Sequence, residues 1–116
     1  MTMDRRKELK QLYKQMKPEM GIILIRALGE DKVYLEATAN LKGAINGTKF
    51  KLEAGKHPNR KLQKAWQEKG AANFTFEILE KLEYDKDETK TDYREELAIL
   101  KMVWEERLAK EKMSFF

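Results

Sequence analysis

Gly21-Ile22-Ile23-Leu24-Ile25-Arg26-Ala27, then Leu28-Gly29-Glu30-Asp31, then Lys32-Val33-Tyr34-Leu35-Glu36-Ala37-Thr38 is the stretch that decides the fold. The first segment is a continuous apolar, β-branched run, which suits a strand buried on both faces. The second is turn chemistry. The third alternates: Val33, Leu35 and Ala37 point one way and Tyr34, Glu36 and Thr38 the other. A short turn between two strands makes the pair an antiparallel hairpin.

Working outward, Asn40 is a good helix N-cap, and Leu41, Ile45, Thr48 and Leu52 follow at helical spacing. Gly43 and Gly47 each cost about 1 kcal/mol inside a helix. Asn46-Gly47 is also a turn signal; a helix is expected here, with a distortion or break near Gly47 as the open alternative. Asn59–Lys69 reads as a second helix, with Leu62, Ala65 and Trp66 inward and Gly70 as its stop. Phe74–Leu79 alternates as a third strand, with Phe74, Phe76 and Ile78 on one face. Asp92–Lys110 is the longest helix, with Asp92 and Glu95 as a capping box and Tyr93, Leu97, Leu100, Trp104 and Leu108 as its core stripe. Ile99, Met102 and Val103 lie on its far side. Burial within the domain is the favoured reading for them, with a partner contact as the alternative. Before the hairpin, Asp4–Met16 reads as a helix carrying Leu9, Leu12, Tyr13 and Met16, ended by Pro18. Met113–Phe116 either docks or stays loose.

This order predicts a small α/β (α+β) protein. Its three-stranded, mostly antiparallel sheet is flanked by helices and preceded by an extra N-terminal helix. The 116 residues suit one domain: 1–17 the N-terminal helix, 21–108 the core and 109–116 a tail. There is no cysteine, so disulfides and thiolate metal sites are excluded. The start of the chain is too charged for a signal peptide and no apolar run reaches membrane-spanning length. The expected location is cytoplasmic, without membrane contact.

The net charge of +4 is unevenly spread: residues 40–76 carry eight Lys/Arg against two Asp/Glu, and residues 77–116 carry eight against twelve. A basic block suits a polyanion, and it equally suits a solvated face; on composition alone the solvated face is preferred.

In its ordered set of segments the chain resembles the GIY-YIG nuclease superfamily over about Gly21 to Leu108. Gly21-Ile22-Ile23 stands where that family has Gly-Ile-Tyr. Ten residues follow, and Tyr34-Leu35-Glu36 stands where it has Tyr-Ile-Gly. Asn40-Leu41-Lys42 is similar to the start of the first family helix. Asn59-Arg60-Lys61-Leu62-Gln63-Lys64-Ala65-Trp66, Gly70 and Phe74-Thr75-Phe76-Glu77-Ile78-Leu79-Glu80 resemble the downstream segment. The resemblance implies phosphodiester hydrolysis with one divalent metal on a helix glutamate, a hairpin tyrosine acting on the water and a helix arginine on the phosphate.

Position by position, the resemblance puts the first tyrosine on Ile23, the second on Tyr34, the arginine on Ala44, the frequent histidine on Thr48 and the metal-binding glutamate on Lys101. The motif glycine falls on Glu36, a negative charge near the phosphate position. One of the five functional positions keeps its chemistry. An ammonium at the metal position repels Mg²⁺. The implied state is a catalytically inactive, nuclease-like domain with a degenerate active site, no metal and no cofactor. Tyr34 is then preferred as an ordinary strand aromatic at the sheet surface.

Other chemistry is sparse. His57, the only histidine, reads as a solvated loop residue or a group at the start of a helix. What remains is Lys42, Lys49, Lys51, Lys56, Arg60, Lys61 and Lys64, with Lys69, on two consecutive helices and their loop. They are the candidate nucleic-acid-binding residues for DNA or RNA, through phosphate contacts. Phe50 and Trp66 fit core packing better than base stacking. The alternative function is a protein-interaction or self-association module, a homodimer through Ile99, Met102 and Val103 or contacts through Phe115-Phe116. The third is an active metal-dependent endonuclease using Tyr34, Glu36 and a relocated carboxylate such as Glu105.

Overall fold

The computed structural model describes residues 5–9 and 17–116. Residues 5–9 are helical and form the described part of α1. The rest of the expected Asp4–Met16 helix lies outside the described residues. Then come β1 (Met20–Ala27), β2 (Lys32–Thr38), α2 (Leu41–Glu53), α3 (Arg60–Lys69), a 3₁₀ turn (Ala71–Asn73), β3 (Phe74–Leu82), α4 (Arg94–Lys110) and β4 (Ser114–Phe115). No helix among the described residues is long and apolar enough to cross a membrane.

The sheet has four strands, not the expected three, in the order β3-β1-β2-β4. β1 pairs antiparallel with both neighbours. The continuous apolar run of β1 is explained by that central place. Ile22 and Leu24 pack with Val33, Leu35 and Leu108 on the α4 side. Ile23, Ile25 and Ala27 pack with Leu41, Leu52, Leu62 and Trp66 on the α2–α3 side. The extra strand comes from the tail. Ser114 N–H donates to the Asp31 carbonyl at 2.7 Å and Phe116 N–H to the Val33 carbonyl at 3.0 Å, so β4 runs parallel to β2. Phe116 then packs against the α2–α3 core.

Gly21 marks a close crossing. A Cβ there would lie 2.9 Å from the Lys81 Cα and closer still to the Glu80 carbonyl, so only glycine lets β3 approach. Next to it the β1–β3 register slips: Ile22 faces Glu80 and Ile23 faces Ile78, which leaves Leu79 as a bulged residue. Leu79 packs towards α4, and Trp104 Nε1 donates to Glu80 Oε1 at 3.0 Å. Phe74 and Phe76 join the core as expected, but Ile78 is 45% exposed.

α2 is the expected helix, unbroken through Gly47, because Leu41, Thr48 and Leu52 are buried against the sheet and packing outweighs the glycine penalty. Asn40 caps it as expected, accepting from the Gly43 N–H at 3.0 Å. There is no Asp92–Glu95 capping box. Tyr93 is the N-cap residue of α4, and the Asp92 carboxylate accepts from the Arg94 N–H at 3.1 Å. Ile99, Met102 and Val103 are 54%, 60% and 43% exposed rather than buried, because α4 turns only its other face to the sheet.

Candidate functional site

The alternation of β2 aims Tyr34 and Glu36 at the α2–α3 side, opposite Ile25 and Ile23 of β1. Ala44 and Thr48 are one helical turn apart on the inward face of α2. Thr48 is buried, and its Oγ1 donates to Glu36 Oε2 at 3.3 Å. Ile23 is fully buried, and Ala44 packs against the same core. Two of the five family positions are therefore core, and two belong to a polar cluster.

The α2–α3 loop brings His57 into that cluster. Its side chain is 5% exposed, so it is not the solvated loop residue expected. Its backbone N–H donates to Gln63 Oε1 at 2.9 Å, and Gln63 Nε2 donates to the Leu52 carbonyl at 2.9 Å. The Asn59 N–H donates to His57 Nδ1 at 3.0 Å, which places the proton of the neutral ring on Nε2. His57 thus does act at the start of a helix, since Asn59 caps α3 by accepting from the Leu62 N–H at 3.0 Å. Burial pushes the His57 pKa down. The nearby Lys51 charge acts in the same direction and Glu36 opposes it. The His57 ring meets Tyr34 edge to face, so Tyr34 is a half-buried member of the cluster rather than a plain surface aromatic. Burial, then the Glu36 charge, raises the Tyr34 pKa.

Lys101 and Tyr34 line one small cleft of about 220 Å³, with Asn59, Glu105, Phe115 and Phe116 among others. Lys101 Nζ lies 3.8 Å from Glu105 Oε1. Among the described residues, no group of three or more His, Asp or Glu side chains converges to hold a metal ion. Nothing in the sequence joins His57 to Tyr34; the one signal is its place between Lys56 and Pro58 at the start of a helix. A larger cavity, of about 950 Å³, lies at the Met20–Leu82 end of the β1–β3 pair. Its lining includes Pro18, Leu82 and Tyr84 with Lys and Glu of both signs.

Lys42, Lys49, Lys51, Lys56, Arg60, Lys61 and Lys64 are all exposed. Lys49 Nζ lies 5.0 Å from the centre of the Phe76 ring, and Lys64 stands 3.9 Å from Glu68. Lys69 is drawn off by an ion pair with Glu30, whose carboxyl it holds below the usual range. The other five of the seven make no ion pair among the described residues. Trp66 is core, as expected, but Phe50 is 73% exposed on the outer side of α2, which corrects the core reading for it.

No protein-family model and no curated protein matches the sequence. Solved structures do match. The catalytic domain of homing endonuclease I-TevI is 25% identical, with 82% of this chain and 94% of that chain covered and a TM-score of 0.64. A point mutant of the same catalytic domain is 24% identical, with 84% and 92% covered and a TM-score of 0.61.

Proposed function

We propose that this chain, a member of the GIY-YIG superfamily, uses a nuclease scaffold to bind nucleic acid through the basic α2–α3 face without cleaving it. The observation that carries the reading is the set of five exposed cations that make no ion pair among the described residues, Lys42, Lys51, Lys56, Arg60 and Lys61, on the α2–α3 side of the sheet. Cations held this way are free to displace the counterions of a phosphate backbone. The neighbour being an endonuclease is consistent with a nucleic-acid partner.

The donor set does not fit the divalent metal that the family implies. Lys101 offers an ammonium where a carboxylate is needed. The carboxylates that would have to take over are engaged, Glu36 by Thr48 and Glu105 by Lys101. Ile23 and Ala44 can neither move a proton nor hold a phosphate. The test is a titration of labelled oligonucleotides beside a cleavage assay with added Mg²⁺ or Mn²⁺. Salt-sensitive binding with intact strands is the expected result. Cleavage that disappears in Tyr34→Phe would overturn the inactive reading, and absence of binding at low salt would overturn the binding reading.

A second reading is favoured by the outer face of α4. Ile99, Met102 and Val103 are exposed together, with acidic Glu95 in the first turn of the helix and basic Lys110 in the last. An antiparallel second copy of α4 would set each acidic end beside a basic one, so the occupant that fits this face is another molecule of this chain.

A further inference from the structure

Phe50 is the most exposed large apolar side chain among the described residues, at 73%. Its position on α2 explains why. It stands nearly opposite Leu52, which is buried in the core, so its ring points straight away from the sheet. The helix around it is bare: a Cβ added at Gly47, one turn earlier, would meet nothing within 4 Å, and Ala54, one turn later, is small and exposed. At 100° per residue, Lys42 and Lys49 fall along one edge of this face and Lys51 along the other. The loop carrying Lys56 folds back to the same end of α2, its N–H donating to the Lys51 carbonyl at 2.8 Å.

A solvated ring contributes nothing to the core. Flanked by exposed cations, it has the two elements that single-stranded nucleic-acid sites combine, charge for the backbone and an aromatic face for a base. A duplex offers the charge but keeps its bases stacked and out of reach of such a ring. We infer that Phe50 is a stacking platform for an unpaired base, so that the α2–α3 face prefers single-stranded or looped nucleic acid over a duplex. This rests on the basic-face reading above and adds the class of strand to it.

The experiment is a fluorescence-anisotropy titration of a labelled single strand of about 15 nucleotides, and of its duplex, at about 50 mM salt. The proteins are wild type, Phe50→Leu, Phe50→Trp and the double variant Lys51→Glu with Lys61→Glu. Phe50→Leu should weaken single-strand binding by about fivefold or more and leave duplex binding within about twofold. Phe50→Trp should keep the preference, and the double variant should weaken both forms. Should Phe50→Leu change neither form while the double variant weakens both, the stacking role is overturned and the basic face stands. Equal losses on both forms, or a wild-type dimer that Phe50→Leu turns into a monomer in sedimentation, would overturn it in favour of a shape or self-contact role. No binding of either form by wild type overturns both readings together.

Discussion

The imidazole of His57 stands edge-on to the ring of Tyr34, with centroids 5.2 Å apart and ring planes at 86°. One ring comes from the hairpin and the other from the loop between two helices. The contact ties that loop, and with it the start of α3, to β2. The hydrogen bond beside it, from the Asn59 N–H to Nδ1, is the interaction that needs a neutral imidazole.

His57 should therefore titrate below its ordinary value of 6.5. Its pKa is depressed in the folded chain, so the unfolded chain takes up the proton first as pH falls. The stability carried by neutral His57 is complete above about pH 6.5 and is lost from there down to the folded pKa. Because the sequence has one histidine, a proton NMR titration reads it without assignment. A midpoint at or above 6.5 would contradict this account. The melting-temperature gap between wild type and His57→Gln should also narrow from pH 7.5 to about pH 5.5.

Two glycine-to-alanine changes should move stability in opposite directions. Gly21→Ala drives a methyl group into the backbone of β3 and should cost more than about 2 kcal/mol. Gly47→Ala adds a methyl group to an open helix face and should stabilise by about 0.5–1 kcal/mol. Urea unfolding of the two variants checks both; a destabilising Gly47→Ala would mean that α2 does not run through this position as an ordinary helix.

Charge reversal on the basic face should act uniformly across sequences. With Lys51→Glu and Lys61→Glu combined, the slope of log affinity against log salt should fall by roughly 1 for each phosphate that is no longer neutralised. Glu36→Gln, which removes the negative charge beside Thr48, should strengthen binding severalfold in the same titration. Unchanged slopes in the first variant would assign these lysines to solvent.

Val103→Glu sets a charge in the middle of the exposed α4 stripe. Sedimentation equilibrium should show wild type associating at high concentration and this variant monomeric. A wild-type monomer throughout would remove the self-association reading.

The hairpin, the α2–α3 pair, the third strand and the core stripe of α4 are all legible as periodicity. Each is set by which residues must leave water, and that pattern is local. The start of α4 is not legible in the same way, because an Asp-x-x-Glu spacing is also met by residues that turn outward. Asp92 goes instead to Arg94, which holds its carboxyl down at about 2. The exposure of Phe50 is hidden too, because an apolar residue between lysines gives no sign of which way the helix will roll.

The sequence by itself determined the order of elements and the burial of β1 on both faces. These follow from residue identity and short-range spacing. Only the tertiary structure decided that Tyr34, Glu36, Thr48 and His57 meet. It also decided that the tail adds a strand beside β2, and that Phe50 and Ile99 face outward. Those facts depend on contacts between segments far apart in the chain. The register and roll that fix such contacts come from the packing of whole elements against one another, which no local pattern encodes.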